Sequence, residues 1–164
     1  MIRRNLSEPA PVCSPELPFP YARVAQVRLA RPTQQLEKLV AFYSGGLGLP
    51  VLERFAEHAG YSGVILGLPG HTYHLELTQH ASVSATCAPS PDNLLVLYIR
   101  SDSELEGLRE RLERLGHAAV RPENPYWLDK SVTFADPDGW RVALCACANP
   151  ISPLEKSTGR EQIC

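Results

Sequence analysis

The stretch NLLVLYIRSDSELEGLRERLERLG, Asn93 to Gly116, contains a complete strand-to-helix unit. Its first eight residues are mostly large and apolar, which predicts a buried strand. Ser101 and Glu104 follow at the spacing of a capping box, in which each side chain satisfies a backbone donor of the other residue. A helix should begin there, because apolar residues then recur at helical spacing until Gly116: Leu105, Leu108, Leu112 and Leu115.

Three further strands are predicted after this helix. They lie near residues 118–121, at SVTFAD (131–136) and at WRVALCA (140–146). The second half of the chain therefore has the order β-α-β-β-β.

The first half has the same order of elements. VAQVRLA (24–30) alternates as a half-buried strand does. Thr33 can cap a helix that Gly45 and Gly46 end, and its apolar positions are Leu36, Leu39, Val40 and Tyr43. Strands near 51–55, 61–66 and 74–80 follow, with a turn at 58–60 between the first two. The sequence predicts an α+β fold of two βαβββ modules, whose curved mixed sheets surround a shared cavity with the helices outside.

Composition suggests where the modules begin and end. Residues 1–20 contain five prolines and few large apolar side chains, so we expect a flexible leader. The first module should span 21–80 and the second 92–148, separated by a linker at 81–91 that is rich in Ser, Ala and Pro. Residues 149–164 show no sustained apolar period and should form a peripheral tail.

The overall composition excludes several classes of partner. The 164 residues are 44% hydrophobic and 21% charged, as in globular proteins, and the formal net charge of −2 comes with no basic stripe. Neither nucleic acid nor an anionic membrane is expected as a partner, so a small molecule is the better expectation. The sequence contains no apolar run long enough to span a bilayer and no signal-peptide core.

Cysteine usage indicates a reducing compartment. The five cysteines are odd in number and lack zinc-type spacing: Cys13, Cys87, Cys145, Cys147 and Cys164. Cys145 and Cys147 would point the same way from a strand, about 6 to 7 Å apart, which is too far for a disulfide. We expect reduced thiols and a cytoplasmic protein.

Two motifs resemble a known superfamily. AFYSGGLGL (41–49) is similar to the Phe-Tyr-x-x-x-Leu-Gly element of the vicinal oxygen chelate superfamily, which includes glyoxalase I, extradiol dioxygenases and bleomycin-resistance proteins. FADPDGWRVAL (134–144) resembles the Asp-Pro-Asp-Gly turn between the last two strands of that superfamily. The resemblance covers about residues 21–148 and implies the same two-module fold.

The resemblance also implies four metal-ligand positions, of which this chain fills at best two, one with a strong ligand and one with a weak one. Glu76, in HLELTQH (74–80), stands at one of them. The others are occupied by Val24 or Gln26, by Leu94 and by Ala143. A catalytic transition metal normally needs three protein ligands, and even recruitment of His74 beside Glu76 would supply too few. No cofactor is therefore predicted, and a divalent metal is disfavoured.

Strand alternation predicts which side chains line the cavity. The candidate ligand-binding residues are Gln26, Arg28, His74, Glu76, Thr78, Leu94, Tyr98, Arg141 and Ala143. Arg28 could hold a ligand carboxylate or pair with Glu76. Glu76 thus either contacts a ligand or is merely neutralised in an unused cavity, and both readings stay open.

The sequence therefore predicts a protein that binds a small organic molecule in its inter-module cavity, without a tightly bound catalytic metal. The alternative is an enzyme of the same superfamily, a lyase, isomerase or dioxygenase, with Glu76 as metal ligand or Glu76 or His74 as base. A third reading is a partner-binding module that uses its exposed edges or its Pro-rich leader. The superfamily commonly pairs modules across chains, so a homodimer and a monomer are both compatible with the sequence.

Overall fold

A computed structural model describes residues 26–68, 71–82 and 89–146 of the chain. Two four-stranded mixed sheets form its framework, one in each half, which confirms the predicted α+β class and the two modules. Each sheet has its first and last strands paired in parallel and the remaining neighbours antiparallel.

The first module consists of the strands β1 (Val27–Pro32), β2 (Val51–His58), β3 (Tyr61–Gly67) and β4 (Tyr73–His80), arranged in the order β1-β4-β3-β2. The predicted strand at 24–30 is shifted: β1 continues through Pro32, because Arg31 and Pro32 pair with Leu77 and Thr78 of β4. Residues 24 and 25 lie outside the described residues. The predicted turn at 58–60 is present but begins one residue later, at Ala59, since His58 belongs to β2 and pairs with Tyr61.

The helix of the first module is tighter at its start than at its end. The α-helix α1 (Leu36–Val40) continues as a π-helical segment, Ala41–Gly46. Thr33 lies before the helix, where its hydroxyl accepts a hydrogen bond from the Gln35 N–H at 2.9 Å. A Cβ at Gly46 would lie 2.5 Å from Cδ2 of Leu112, so this glycine lets the helix of the second module approach closely.

The second module consists of β5 (Leu94–Ile99), α2 (Asp102–Arg114), β6 (Ala119–Val120), β7 (Val132–Ala135) and β8 (Arg141–Ala146), with the sheet order β5-β8-β7-β6. The Ser101 half of the predicted capping box is observed, since the Ser101 hydroxyl accepts from the Glu104 N–H at 3.3 Å. A short 3₁₀ turn, Pro125–Trp127, precedes β7. No helix among the described residues is both long and apolar enough to cross a bilayer.

One hydrophobic core joins the two modules. Its members come from the first helix, from both sheets and from α2: Leu36, Leu39, Phe42, Tyr43, Leu47, Val64, Leu66, Leu75, Leu77, Leu112, Phe134, Val142 and Leu144. The helices therefore contact each other as well as their own sheets. The opposite face of the first sheet is left accessible, and polar residues of β1 and β4 lie there.

Gly63 gives a test of packing on that accessible face. A Cβ at Gly63 would lie 2.4 Å from Cζ of Phe55 and 2.7 Å from the carbonyl oxygen of Leu77. Because a strand backbone cannot move without disturbing its pairing, Gly63→Ala should lower the free energy of unfolding by about 1–3 kcal/mol. Chemical denaturation measures this change.

The matched control is Gly107→Ala on α2. A Cβ there meets nothing within 4 Å, and alanine is the better helix former, so we expect a gain of roughly 0.5–1 kcal/mol. Equal stability of Gly63→Ala and the parent protein would contradict the close packing described for β3.

Candidate functional site

The polar face of the first sheet is set by the pairing of β1 with β4. Leu75 and Leu77 are buried in the core, so His74, Glu76 and Thr78 project from the other side of β4. Arg28 lies opposite His74, and Ala30 lies opposite Glu76, in the parallel register. The pairing of β1 with β4 therefore brings together the polar side chains of two short stretches whose paired residues are 46 positions apart in the sequence.

Two polar pairs connect these strands. The Arg28 guanidinium donates from Nη1 to Oε2 of Glu76 at 3.1 Å. Nε2 of Gln26 lies 3.0 Å from Nδ1 of His74. The ion pair that the sequence allowed between Arg28 and Glu76 is thus present. The Arg28 side chain remains 42% exposed and that of Glu76 18%, so both can still be reached by a small molecule.

A glycine that the sequence analysis did not select helps to place His74. A Cβ at Gly67 would lie 2.9 Å from Cδ2 of His74 and 3.0 Å from the Tyr73 carbonyl oxygen. Any side chain at position 67 would therefore displace the imidazole or the strand. The sequence signal for this role was Gly67 itself, which directly follows the predicted strand 61–66. A glycine next to or within a strand often marks the close approach of another group. Thr78, also on this face, has its hydroxyl 3.5 Å from the Arg31 carbonyl oxygen.

The candidates in the second module lie apart from this face. Tyr98 is 40% exposed and borders a cavity of about 460 Å³ that is lined, among described residues, by the second module. Leu94 and Arg141 border a smaller cleft of about 150 Å³ between the modules. Ala143 is fully buried. No hydrogen bond or ion pair among the described residues joins Leu94, Arg141 or Ala143 to Gln26, Arg28, His74, Glu76 or Thr78.

A buried polar cluster spans the two modules, and the sequence analysis missed it. Asp136 accepts hydrogen bonds through Oδ2 from Arg31 and from the Tyr43 hydroxyl, both at 2.8 Å. Arg31 also donates to Tyr43 at 3.0 Å, and its guanidinium lies 4.7 Å from the ring centroid of Trp140. Burial raises the pKa of Tyr43 well above 10, so the phenol stays a neutral donor.

Asp136 also closes the turn to which it belongs. Its Oδ1 accepts from the backbone N–H groups of Asp138 and Trp140, both at 2.9 Å. The Asp-Pro-Asp-Gly motif was interpreted from sequence only as a turn. Its first aspartate in fact has two tasks, because it completes the turn and neutralises a buried arginine from the other module.

The donor set around Glu76 does not fit a catalytic metal. The neighbour that contacts its carboxylate is a guanidinium, and the family positions in the second module are occupied by Leu94 and by the fully buried Ala143. Within residues 26–68, 71–82 and 89–146, no three His, Cys, Asp or Glu side chains are grouped as ligands. Val24, the other residue considered at a ligand position, lies outside these ranges.

Comparison with known proteins places the chain in a family. The YycE-like N-terminal domain matches residues 27–78 and the YycE-like C-terminal domain matches residues 92–146. The chain is also 45% identical over 126 residues to the uncharacterized protein YycE of Bacillus subtilis (strain 168), which covers 77% of this chain and 91% of that protein. The chain belongs to the YycE-like family.

Solved structures extend this result to the superfamily. A crystal structure of YycE, a protein of unknown function described as a candidate glyoxalase/fosfomycin resistance protein, has a TM-score of 0.74 and 44% identity, covering 80% of this chain and 95% of that one. The trypanothione-dependent glyoxalase I of Leishmania major has a TM-score of 0.59 and 19% identity over 77% and 87% of the two chains. The membership of the vicinal oxygen chelate superfamily that the two motifs indicated is confirmed.

The fold itself is shared by proteins of different activity. TnmS3, an antibiotic binding protein from Streptomyces sp. CB03234, has a TM-score of 0.53 and 22% identity, covering 77% of this chain and 96% of that one. One relative in fold is thus an enzyme and another is a binding protein. The function of this chain must therefore be argued from its own side chains.

Proposed function

We propose that the chain binds a small organic molecule on the polar face of the first sheet and does so without a tightly bound catalytic metal. The observation that supports this most is the pair formed by Arg28 and Glu76, which contact each other across β1 and β4 while remaining accessible. An ion pair of this kind adds little to stability when it is exposed. Its groups are therefore available for recognition at small cost to the fold.

The face offers both kinds of hydrogen-bonding group to a ligand. Arg28 has five N–H donors and uses one of them on Glu76, whereas the Glu76 carboxylate can accept several bonds. Gln26 and His74 lie on the same two strands and add an amide and an imidazole. Because the charges of Arg28 and Glu76 balance, the face favours a neutral polar molecule over a multiply charged one.

Within the part of the chain that the structure describes, the side chains around Glu76 favour binding over metal chemistry. A divalent cation at Glu76 would have to displace Arg28 or share the carboxylate with it, and a guanidinium beside a cation is electrostatically unfavourable. Lewis-acid catalysis requires a metal held by several protein ligands in a fixed geometry. His74 and Glu76 together would supply only two such ligands.

Thermal-shift screening with small, neutral polar organic molecules tests this proposal. A molecule that raises Tm should bind Glu76→Gln and Arg28→Gln about tenfold to a hundredfold more weakly, because each change removes a hydrogen bond to a charged group. The unliganded variants should lose no more than about 1 kcal/mol of stability.

The matched control is another exposed arginine–glutamate pair on the same module. Arg54 donates to Glu37 at 2.9 Å, and the two side chains are 48% and 74% exposed. Glu37→Gln should leave ligand affinity unchanged. Equal losses in Glu37→Gln and Glu76→Gln would contradict a site on the polar face, and stoichiometric metal that disappears in Glu76→Ala would contradict the metal-free part of the proposal.

A further inference from the structure

A β-bulge in β2 turns an apolar side chain onto the polar face of the first sheet. The pairing of β2 with β3 shifts between Val51 and Glu53, so Leu52 is an extra residue on its strand. Bulges of this kind commonly redirect a side chain. Cδ1 of Leu52 lies 3.5 Å from the point where a Cβ at Gly67 would be, and Cδ2 of His74 lies 2.9 Å from the same point. Leu52 therefore lies on the polar face, next to His74.

Two further apolar side chains lie on this face. Phe55 pairs with Gly63, and its ring lies over that glycine, since a Cβ at Gly63 would meet ring atoms of Phe55. Ile65 pairs with Glu76 and is 5% exposed, so it forms the floor between them. Leu52 is 38% exposed and Phe55 is half-buried, so a ligand can contact both. Leu52, Ile65 and Phe55 together form an apolar strip beside the polar side chains of β4.

The polar pair next to this apolar strip keeps hydrogen-bonding atoms for a ligand. Arg28 bonds to Glu76 through Nη1, and the bond uses Oε2 of the carboxylate. The other N–H groups of Arg28 and Oε1 of Glu76 have no hydrogen-bond partner within the described part of the chain. A set of donors and an acceptor therefore lie side by side at the edge of the apolar strip.

The charges around the apolar strip favour a ligand without a net charge. Glu53 pairs with Ile65, which places it on the same side of the sheet as Glu76, and its side chain is exposed. An anion bound here would lie beside two carboxylates, and a cation would lie beside the guanidinium of Arg28. A neutral group with its own donor and acceptor avoids both repulsions.

We propose that the ligand of the polar face is a primary carboxamide that carries a hydrocarbon or aromatic group. Its carbonyl oxygen accepts a hydrogen bond from Arg28, and its amide N–H donates to Oε1 of Glu76. Its apolar group lies against the apolar strip, as in most small-molecule sites, where apolar contact accompanies a few polar anchors. This inference rests on the proposed function and adds to it the class of ligand and the residues that select it.

A series of amides measures what the apolar strip contributes to binding. Hexanamide extends acetamide by methylene groups alone, and each fully buried methylene strengthens binding by up to about fourfold. We expect hexanamide to bind at least about tenfold more tightly than acetamide in titrations followed by NMR. Hexanoate and hexylammonium, which carry a charge on a similar chain, should each bind at least about tenfold more weakly than hexanamide.

Substitutions separate the apolar strip from the polar pair. Leu52→Ser and Phe55→Ala should each weaken hexanamide binding at least about fivefold and leave acetamide binding nearly unchanged, because acetamide is too short to reach them. Glu76→Gln should weaken the binding of both amides by the same factor, because both use the same polar anchor. Leu128→Ser removes a leucine of similar exposure, 40%, in the second module and should bind like the parent protein. Far-UV circular dichroism checks that each variant is folded.

Several results would overturn this inference and leave the proposed function intact. These are the binding of other neutral molecules but of no amide, equal affinity for acetamide and hexanamide, and a folded Leu52→Ser protein that keeps the full preference for hexanamide. Tighter binding of hexanoate or hexylammonium than of hexanamide would contradict the neutral amide. The proposed function fails in a different way, namely if no neutral molecule binds in a manner that depends on Arg28 and Glu76.

Discussion

Asp136→Ala should lower the free energy of unfolding by about 3–5 kcal/mol, because it leaves the buried charge of Arg31 without its partner. Arg31 is 5% exposed and Asp136 4%, so water cannot replace the lost carboxylate without local opening. The same change deprives the Tyr43 hydroxyl of an acceptor at 2.8 Å. It also removes the side-chain oxygen that accepts from two backbone N–H groups of the turn.

Urea denaturation of matched variants measures this effect. Asp136→Asn keeps an oxygen for the turn but removes the charge, so it should be destabilised less than Asp136→Ala. Asp138→Ala is the control in the same turn, because Asp138 is partly exposed and accepts from Nε2 of Gln35 at 3.1 Å. That variant should lose about 1 kcal/mol. If Asp136→Ala and Asp138→Ala lost the same stability, the buried ion pair would not have the role assigned to it.

Phe42→Ala should cost a similar amount, about 3–5 kcal/mol, for a different physical reason. Phe42 is completely buried and lies where the first helix meets the second module. Its ring makes edge-to-face contacts with Tyr43 and His117 at centroid distances of 5.0 and 4.9 Å. Removal of the ring would leave a cavity in the one core that both modules share.

Tyr43→Phe provides the comparison on the neighbouring residue. It keeps the aromatic ring and deletes the hydroxyl that bonds to Arg31 and Asp136, so we expect a loss of roughly 1–2 kcal/mol. The larger loss should belong to Phe42→Ala in thermal and chemical unfolding alike. The reverse order would show that the polar cluster, rather than the shared apolar core, dominates the junction.

Much of the fold could be predicted from local patterns. The cap at Ser101, the apolar spacing of α2 and the alternation of HLELTQH are properties of a few neighbouring residues, and each is observed. Alternation also places His74 and Glu76 on the face opposite Leu75 and Leu77 without any knowledge of the partner strand. Strand ends were predicted less well, since β1 reaches Pro32 only because β4 is long enough to pair with it.

The candidate site was predicted in its components but not in its arrangement. Arg28 and Glu76 could be assigned to one face from strand parity, and their contact follows from the parallel register of β1 and β4. The alternation of side chains along the strands could not show that the candidate ligand-binding residues of the second module lie apart from that face. Nor did it show that Ala143 is fully buried, because burial depends on what packs above a strand.

Residue order and side-chain chemistry thus suffice for the number of modules, the sequence of strands and helices, and the polar side of each strand, because those features arise from interactions within a few residues. The contact between Arg31 and Asp136 joins positions 105 residues apart. It exists only because the two modules dock through a common core, and no periodicity of either stretch encodes that docking. The same docking creates the cleft beside Trp140 and Arg141. It also gives the Asp-Pro-Asp-Gly turn its role in the contact between the modules, because Asp136 of this turn binds Arg31 of the first module.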